Sequence, residues 1–489
     1  MRRHARRLAL LALVVVWLVT AYLHSTKPLP QGTHLASALC AVPASQVSFV
    51  ADITAADAYG HVAMSQAIFD EMLKLVRGAR HFIVLDYALI GAGDTPATPQ
   101  RRLAGELTDA LLAQRRAFPD LKVLFVTDPV NERYGARPSP ELQLLRAAGV
   151  DVVLARLDAL RDPNFLYSSL WRLTLRWWDA PREPLGFATR ELNFKADHRK
   201  VVIADDGGDA LVAVVGSANT VDAQSGWSNL AARVSGDSLG SLLQGELAIA
   251  RFSGWTGDSE PYLRAADPHA PDSCSRGVPA SSVPAPLSAD SVRVQVLTEG
   301  ALRAALLLRA AASGRGDTID LALFGFADRG VIEALLDASR RGVTVRLILD
   351  PSEDATTMLP TGLPNQPAAS ELVSRSGGAV RVRWYRTHGE RFHSALALFA
   401  GKRSVWLTVG SANLTRRGLD DYNLEANLAI EVLRDAPLAQ QAQGYFDTLW
   451  SNRAALGIEY TADFAAFADS KQADYWLYRL LEGSGFTAF

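Results

Sequence analysis

Side chains that can act together on a phosphate lie close together near the middle of the sequence. His198 and Lys200 stand two residues apart, and Asp205 follows shortly after them. Ser217 and Asn219 come next, inside the tetrapeptide Gly-Ser-Ala-Asn. An imidazole can attack or protonate, an ammonium can hold an anion, and the hydroxyl and amide can donate hydrogen bonds. A phosphodiester is the substrate that this set fits best.

A second copy of the pattern lies further along the chain. His198 is followed after 19 residues by Ser217, and His393 is followed after 18 residues by Ser411. Asn413 completes a second Gly-Ser-Ala-Asn tetrapeptide. Two such coincidences at matched spacing indicate an internal duplication.

The second copy departs from the first at its two charged positions. Ala395 takes the place of the lysine, and Ala400 takes the place of the aspartate. Downstream, Asn423-Leu424-Glu425 supplies a carboxylate, and we align Asn229-Leu230-Ala231 with it in the first half. The sequence therefore predicts one complete and one depleted half-site, with this carboxylate on one side only.

Together these motifs resemble the signature of the phospholipase D superfamily, H-x-K-x4-D followed by G-S-x-N, which is usually present twice. The resemblance covers residues 48–455, and the apolar N-terminus makes the chain similar to bacterial membrane-bound members such as cardiolipin synthases. It implies that one imidazole from each half meets the other across a pseudo-twofold interface, and that catalysis passes through a phosphohistidine. It implies neither a metal nor another cofactor.

The resemblance also implies a role for each motif residue. His198 is the expected nucleophile because its half-site is complete, and His393 is the expected general acid and base. Glu425 is expected to accept a hydrogen bond from an imidazole, and a surface ion pair with a nearby arginine is the alternative. The residues expected to bind phosphate oxygens, with Lys200 also counted as catalytic, are Lys200, Ser217, Asn219, Ser411 and Asn413.

The elements that must position these residues recur in both halves. Apolar strands alternate with amphipathic helices, and Phe125-Val126-Thr127-Asp128-Pro129 and Leu347-Ile348-Leu349-Asp350-Pro351 mark equivalent strand ends. This alternation predicts an α/β fold of two repeated halves, each a mixed sheet flanked by helices. The predicted segments are an N-terminal anchor (1–24), a first half (48–260), a linker (261–290), a second half (291–455) and a C-terminal tail (456–489).

The N-terminus carries a targeting segment. Arg2, Arg3, Arg6 and Arg7 precede an uncharged run over residues 8–23. At about 1.5 Å per residue this run covers roughly 24 Å of a hydrocarbon core of about 30 Å, so a signal anchor or a cleaved signal peptide fits. We favour the anchor, because no small-x-small cleavage site directly follows the run. The arginines then stay cytoplasmic, which predicts a single-pass protein of the bacterial inner membrane with an extracytoplasmic catalytic body.

Composition limits the partners. The 489 residues carry a net charge of −2, so no overall basic field favours a nucleic acid.

Cys40 and Cys274 are the two cysteines, and they either form a disulfide in an oxidising compartment or remain free. Both motif copies lie in one chain, which predicts a monomer.

One insertion interrupts the symmetry between the halves. Residues 162–191 mix leucines and aromatic residues with Arg172 and Arg176. This composition fits a membrane interface, but the helical spacing favours a helix that packs its apolar face on its own domain.

The sequence as a whole predicts a phospholipase D-like phosphodiesterase or phosphatidyltransferase that acts on membrane phospholipids. A nuclease of the same superfamily is one alternative. A catalytically degenerate phospholipid-binding protein is the other, and Ala395 and Ala400 are the reason to consider it.

Overall fold

Two sheets, one for each half of the chain, form the centre of the protein. The computed structural model describes residues 2–93, 101–177, 185–208, 210–264, 287–352, 362–453, 457–469 and 471–487. Part of the predicted insertion (178–184) and part of the predicted linker (265–286), including Cys274, lie outside the described residues.

The strands alternate with helices along most of the described chain. The strands are β1 (Cys40–Pro43), β2 (Val47–Asp52), β3 (Thr54–Ala56), β4 (Val62–Met64), β5 (Phe82–Tyr87), β6 (Ile90–Gly91), β7 (Lys122–Thr127), β8 (Asp151–Leu154), β9 (Lys200–Asp205), β10 (Leu211–Gly216), β11 (Thr220–Val221), β12 (Asn229–Ser235), β13 (Ser291–Thr298), β14 (Thr318–Leu323), β15 (Thr344–Leu349), β16 (Val380–Tyr385), β17 (Ala395–Ala400), β18 (Ser404–Gly410), β19 (Ala426–Leu433) and β20 (Thr461–Asp463). The helices are α1 (Arg2–Thr26), α2 (Ala67–Gly78), α3 (Leu103–Ala117), α4 (Pro140–Ala147), α5 (Phe165–Leu173), α6 (Leu185–Glu191), α7 (Gly240–Phe252), α8 (Glu260–Arg264), α9 (Ala301–Ala312), α10 (Arg329–Arg340), α11 (Asn365–Arg375), α12 (Arg416–Leu419), α13 (Pro437–Ser451) and α14 (Gln472–Ser484).

The two sheets repeat one topology. The first runs β2-β12-β10-β9-β5-β7-β8, and the second runs β1-β13-β19-β18-β17-β14-β15-β16-β20. In each, three parallel strands (β5, β7 and β8; β14, β15 and β16) adjoin an antiparallel motif strand, β9 or β17. The predicted α/β fold of mixed sheets flanked by helices is therefore confirmed.

The motif strands β9 and β17 are the most deeply buried part of the site. All six residues of each strand are buried, as expected for apolar strands covered on both faces. Val201 and Ile203 of β9 belong to the same hydrophobic core as Leu396 and Leu398 of β17. The residues that precede these strands are therefore held at a packed interface between the halves.

A buried ion-pair network also joins the halves. Arg199, the residue between His198 and Lys200, is fully buried. Its guanidinium contacts Glu246 of α7 at 3.0 Å and Glu299, which follows β13, at 2.6 Å. A buried charge is tolerated only when it is paired, so these contacts hold the first motif against the second half.

The chain ends contribute to the second sheet. β1 pairs with β13, and β20, within the predicted C-terminal tail, pairs with β16. Tyr478 of α14 is buried in the core of the second half. Within the predicted tail, β20 and α14 therefore pack on the second half.

The insertion forms a helix, α5, with a mixed inward face. The exposed side chains of α5 include Leu166, Leu170 and Leu173, whereas Ser168, Ser169, Trp171 and Arg172 are buried. Trp171 packs inwards, as predicted for a helix on its own domain, whereas the three leucines do not.

The helix α1 carries the uncharged N-terminal run. It is 25 residues long and has a mean hydropathy of 2.1 in its most apolar window, so it is long and apolar enough to cross a membrane. It is also mostly exposed, unlike the core helix of a soluble domain. Length, composition and exposure thus agree with a membrane-associated segment.

Candidate active site

His198 lies at the interface of the halves, directly before β9. Its backbone N–H donates to the carbonyl of Leu424 at 2.9 Å. Nδ1 of its imidazole lies 3.0 Å from Oε2 of Glu425, which directly precedes β19. The imidazole is 21 % exposed, and Glu425 is buried. Glu425 is therefore a buried partner of His198 from the opposite half and not a surface residue.

The carboxylate of Glu425 is held by further hydrogen bonds. The hydroxyl of Ser411 donates to Oε2 at 2.5 Å, and Nδ2 of Asn423 donates to Oε1 at 3.2 Å. Because both oxygens have partners, the carboxylate keeps one orientation towards the imidazole.

His393 repeats this arrangement with the halves exchanged. Its Nδ1 lies 3.0 Å from Oδ1 of Asn229, the first residue of β12. The hydroxyl of Ser217 donates to the same Oδ1 at 3.0 Å, just as Ser411 donates to Glu425. Each imidazole thus has a partner from the other half, a carboxylate for one and an amide for the other.

The structure corrects the alignment of the two halves after the second motif. The N–H of each motif serine donates to the strand residue after the imidazole's partner, Leu230 in the first half and Ala426 in the second. Asn229 therefore matches Glu425, whereas the sequence alignment paired it with Asn423 and was wrong by two residues. The carboxylate is still present on one side only, and Asn229 is a site residue that sequence reasoning missed.

The two imidazoles differ in their electrostatic surroundings. Burial lowers the pKa of His198, and Glu425 opposes this effect. Burial lowers the pKa of His393 well below its usual value, and the charges of Lys200, His198 and Arg391 lower it further. Burial acts to raise the pKa of Glu425, but His198 and Lys200 outweigh it and hold that pKa below its usual value. His198 is therefore the imidazole with a compensating charge.

The motif lysine lies beneath the same imidazole. Nζ of Lys200 donates to the carbonyl of His198 at 2.7 Å, and burial lowers its pKa to about 8, against the opposing effect of Glu425. Ala395 occupies the equivalent first position of β17. The surroundings of His393 thus lack both members of a charge pair, because Ala395 stands for the lysine and Asn229 for the carboxylate.

The four other predicted phosphate ligands lie around the histidines. The hydroxyls of Ser217 and Ser411 are buried and donate to the partners of the imidazoles. Nδ2 of Asn219 donates to Oε1 of Gln224 at 2.9 Å, and Asn413 is half-buried. Phosphate binding by these residues stays a prediction, while the serine contacts position the imidazole partners.

Aromatic and cationic side chains border the site. The rings of Trp227 and Phe324 pack on His393 with centroid distances of 5.2 and 4.8 Å. The guanidinium of Arg391 lies over both rings at 5.1 and 5.6 Å. Arg417 acts on the His198 side, where its charge lowers the pKa of that imidazole. Neither aromatic residue belongs to a motif, so no sequence signal pointed to them.

Two buried carboxyl groups lie below the first motif. Burial raises the pKa of Asp86 well above its usual value, and Asp197 and Glu246 add to the effect. Burial raises the pKa of Asp197 to about 7, against the opposing charge of Arg199. Burial therefore disfavours the charged form of both carboxyl groups.

In the described part of the chain no group of three or more His, Cys, Asp or Glu residues is arranged to hold a metal ion.

The motif aspartate has a structural position. Oδ1 of Asp205 accepts the N–H of Arg80, and Oδ2 accepts those of His81 and Phe82, all at 2.8 to 2.9 Å. These bonds join the end of β9 to the start of β5. Ala400 has no carboxylate for such contacts in the second half.

The comparisons with known proteins agree with this geometry. Residues 307–450 match the family model described as "Cardiolipin synthase, PLD-like domain". The fold is similar to the crystal structure of phosphatidylserine synthase from Haemophilus influenzae Rd KW20, with a TM-score of 0.57 and 14 % identity over 94 % of this chain and 96 % of that one. For residues 307–450 the resemblance to the phospholipase D superfamily is thereby confirmed, and these residues carry a phospholipase D-like domain.

Two further solved structures show weaker likeness. Polyphosphate kinase from Porphyromonas gingivalis matches with a TM-score of 0.42 and 14 % identity, over 90 % of this chain and 53 % of that one. Nuc from Salmonella typhimurium, a phospholipase D family member, matches with a TM-score of 0.27 and 19 % identity, over 35 % of this chain and 97 % of that one. A search of curated proteins gave no match.

Proposed function

We propose that the protein is a phospholipase D-like phosphodiesterase or phosphatidyltransferase that acts on membrane phospholipids through a phosphohistidine intermediate. The observation that carries the proposal is that two imidazoles, His198 and His393, are each held by a partner from the opposite half. The cardiolipin synthase family model and the phosphatidylserine synthase fold support a phospholipid as the substrate.

In the first step, His198 attacks phosphorus. With its Nδ1–H donated to Glu425, the imidazole keeps the lone pair on Nε2 for the attack. The bond from Nε2 to phosphorus forms while the bond to the leaving oxygen breaks, and His393 gives a proton to that oxygen. The ring of His198 then carries a positive charge, which the carboxylate of Glu425 stabilises.

In the second step, the acceptor is activated by His393. The imidazole, now neutral, takes a proton from water or from an alcohol, and the acceptor oxygen attacks phosphorus. The bond from phosphorus to His198 breaks, and both rings return to their starting states. Water gives hydrolysis, and an alcohol gives phosphatidyl transfer.

The cations around the histidines are expected to stabilise the negative charge of the transition state. Lys200, Arg391 and Arg417 are the three nearby cations, and the amides of Asn219 and Asn413 can donate to phosphate oxygens. Because Ala395 removes the second motif lysine, the arginines are proposed to compensate for it.

Release of the head group from phospholipid vesicles tests the activity. Vesicles of phosphatidylglycerol or phosphatidylethanolamine are incubated with the full chain, with and without added glycerol, and the products are identified. His198→Ala should lower turnover by about 10²-fold or more. His61→Ala is the matched control, because His61 is exposed, pairs with Asp57 and belongs to neither motif. Equal turnover by wild type and His198→Ala would refute the proposal.

Trapping the phosphoenzyme tests the roles of the two histidines. Substrate labelled with ³²P is mixed with the protein, the reaction is quenched with alkali, and the modified peptide is mapped. Label on His198 is expected, whereas label on His393 would reverse the roles.

A lipid-binding protein without catalysis is the second candidate. It is favoured by the loss of the charge pair at Ala395 and Asn229. Head-group binding without turnover in the vesicle assay would support this candidate against the enzyme.

We also propose that α1 stays uncleaved as a signal anchor and that the body lies on the extracytoplasmic side. An oxidising compartment on that side would allow the proposed disulfide between Cys40 and Cys274. Protease added to bacterial spheroplasts should therefore digest the body, whereas protection would place the body in the cytoplasm.

A further inference from the structure

The helix α5 turns three leucines outwards, whereas Ser168, Ser169, Trp171 and Arg172 are buried on its inward face. Leu166, Leu170 and Leu173 are 41, 47 and 40 % exposed, and their spacing of four and three residues places them on one helix face. Ser168 and Ser169 are buried. A helix on a water-exposed surface shows the opposite arrangement. The outer face of α5 is therefore unlike a surface made for water.

Buried ion pairs hold α5 in this orientation. The guanidinium of Arg172 donates two hydrogen bonds to the carboxylate of Asp162, both at 2.9 Å. Nζ of Lys195 donates to the same carboxylate at 2.8 Å. All three side chains are buried, so rotation of α5 would leave charges unpaired. The leucines thus point outwards because the inward face is fixed by charge.

The candidate membrane helix α1 lies directly against α5. Nε1 of Trp17 donates to the carbonyl of Leu166 at 2.9 Å, and the N–H of Asp162 donates to the carbonyl of His24 at 3.1 Å. From Trp17 to His24 the axis of α1 rises by about 10 Å. Leu166 therefore lies at the level of Trp17, within the uncharged run, when α1 spans a bilayer.

The apolar surface continues past the end of α5. A short helical turn, Leu175–Trp177, follows, and its Leu175 and Trp177 are also exposed, the tryptophan by 79 %. Tryptophan is enriched where a protein crosses from hydrocarbon to the head groups. Contiguous exposed apolar patches of this kind mark interaction sites.

We propose that Leu166, Leu170, Leu173, Leu175 and Trp177 form a lipid-docking surface that inserts beside α1 into the same leaflet. The occupant is the bilayer, because the surface is continuous with the helix that is apolar enough to span it. The docking also holds the candidate active site at the membrane. Lys195 pairs with Asp162, which lies just before α5, and it precedes His198 by three residues. A lipid head group can then reach His393 without the lipid leaving the leaflet.

Photo-crosslinking of the full chain in vesicles tests the surface directly. The vesicles contain phosphatidylcholine with a diazirine in the acyl chain, and lipid adducts are mapped by mass spectrometry. Adducts are expected on α1 and on peptides from residues 162–177. Peptides that carry Leu308 of α9 or Trp476 of α14, which are 69 and 64 % exposed, should remain unlabelled. Because the readout is an adduct, the result does not depend on whether the protein is an active enzyme.

A matched pair of variants sharpens the test. Leu170→Glu should lower the adduct yield on residues 162–177 by about tenfold, since a charge is costly in hydrocarbon, while α1 stays labelled. Leu308→Glu should leave every yield unchanged, and circular dichroism confirms that both variants fold. Adducts confined to α1 in the wild-type protein would overturn the proposal. Crosslinks between two protein chains through residues 162–177 would also overturn it, because a second copy would then be the occupant.

Discussion

The amide at position 229 should set the pH range in which the enzyme works. Asn229 is the partner of His393, and it brings no charge to offset the burial that lowers the pKa of this imidazole. The variant Asn229→Asp places a carboxylate 3.0 Å from Nδ1, which is the contact that Glu425 makes with His198. The pKa of His393 should therefore rise.

The size of the shift follows from the geometry. Two unit charges about 4 Å apart interact by about 4 kcal/mol at an effective dielectric constant of about 20. That energy corresponds to about 3 pKa units, and the cost of burying the new carboxylate removes part of it. We expect a net rise of about 1–2 pKa units in His393.

The assay is the pH profile of kcat/KM for head-group release. As the general acid, His393 must be protonated, so the rate falls as the pH rises through its pKa. Asn229→Asp should move this descending limb upwards by about 1–2 pH units. The mirror variant, Glu425→Gln, removes the carboxylate from His198 and should move the ascending limb downwards. A p-nitrophenyl phosphodiester is a useful second substrate, because its leaving group does not need a proton.

Three outcomes would refute the reasoning. A descending limb that does not move would show that Asn229 does not control His393. An ascending limb that moves upwards would show that His393 is the nucleophile. An equal shift with the p-nitrophenyl ester would show that the titrating group does not protonate the leaving oxygen.

The remaining predictions concern charge, crosslinking and stability. Ala395→Lys alone should lower the thermal unfolding midpoint, because it buries an unpaired ammonium. Adding Asn229→Asp should restore stability through a coupling free energy of about 1–3 kcal/mol between the two new charges. Additive effects of the two substitutions in the double-mutant cycle would contradict this. Cys40 and Cys274 should appear as one linked peptide in mass mapping without reductant, and an unlinked pair would end that hypothesis. Burial raises the folded pKa of Asp86 above its unfolded value of about 4, so the wild type loses stability as the pH rises from there through the folded pKa. Asp86→Asn should therefore stabilise the protein more at about pH 8 than at about pH 5 in urea unfolding, and the reverse gradient would contradict the assignment.

The positions of strands and motifs along the chain were accessible from the sequence because they rest on local patterns. The two predicted strand ends, Phe125–Pro129 and Leu347–Pro351, correspond to the ends of β7 and β15. The spacing between each motif histidine and its serine is nearly equal because the same strand pair, β9 and β10 or β17 and β18, separates them.

The sequence could not reveal that Asn229 is the partner of His393, and the reason is physical. The loop between Ser217 and Asn229 spans 12 residues, and the loop between Ser411 and Glu425 spans 14. Residue type favoured the wrong alignment, because Asn229 resembles Asn423 more than it resembles Glu425. Only the backbone bonds of the motif serines reveal which residue faces the imidazole.

The orientation of α5 was also hidden from the sequence. Leucines at helical spacing define an apolar face, but periodicity cannot say whether that face meets protein or lipid. The answer depends on Asp162, Arg172 and Lys195, whose ion pairs fix the opposite face. These ion pairs join residues 10 and 33 positions apart, so the network has no local signature in the sequence.

The pairing of β1 with β13 has a consequence for synthesis of the chain. From Pro43 to Ser291 there are 248 residues, and at about 5–20 residues per second the ribosome needs roughly 12–50 s to make them. During that time β1 has no strand partner, although it lies early in the chain. The segment between α1 and the first sheet is therefore paired only after the whole first half has been made.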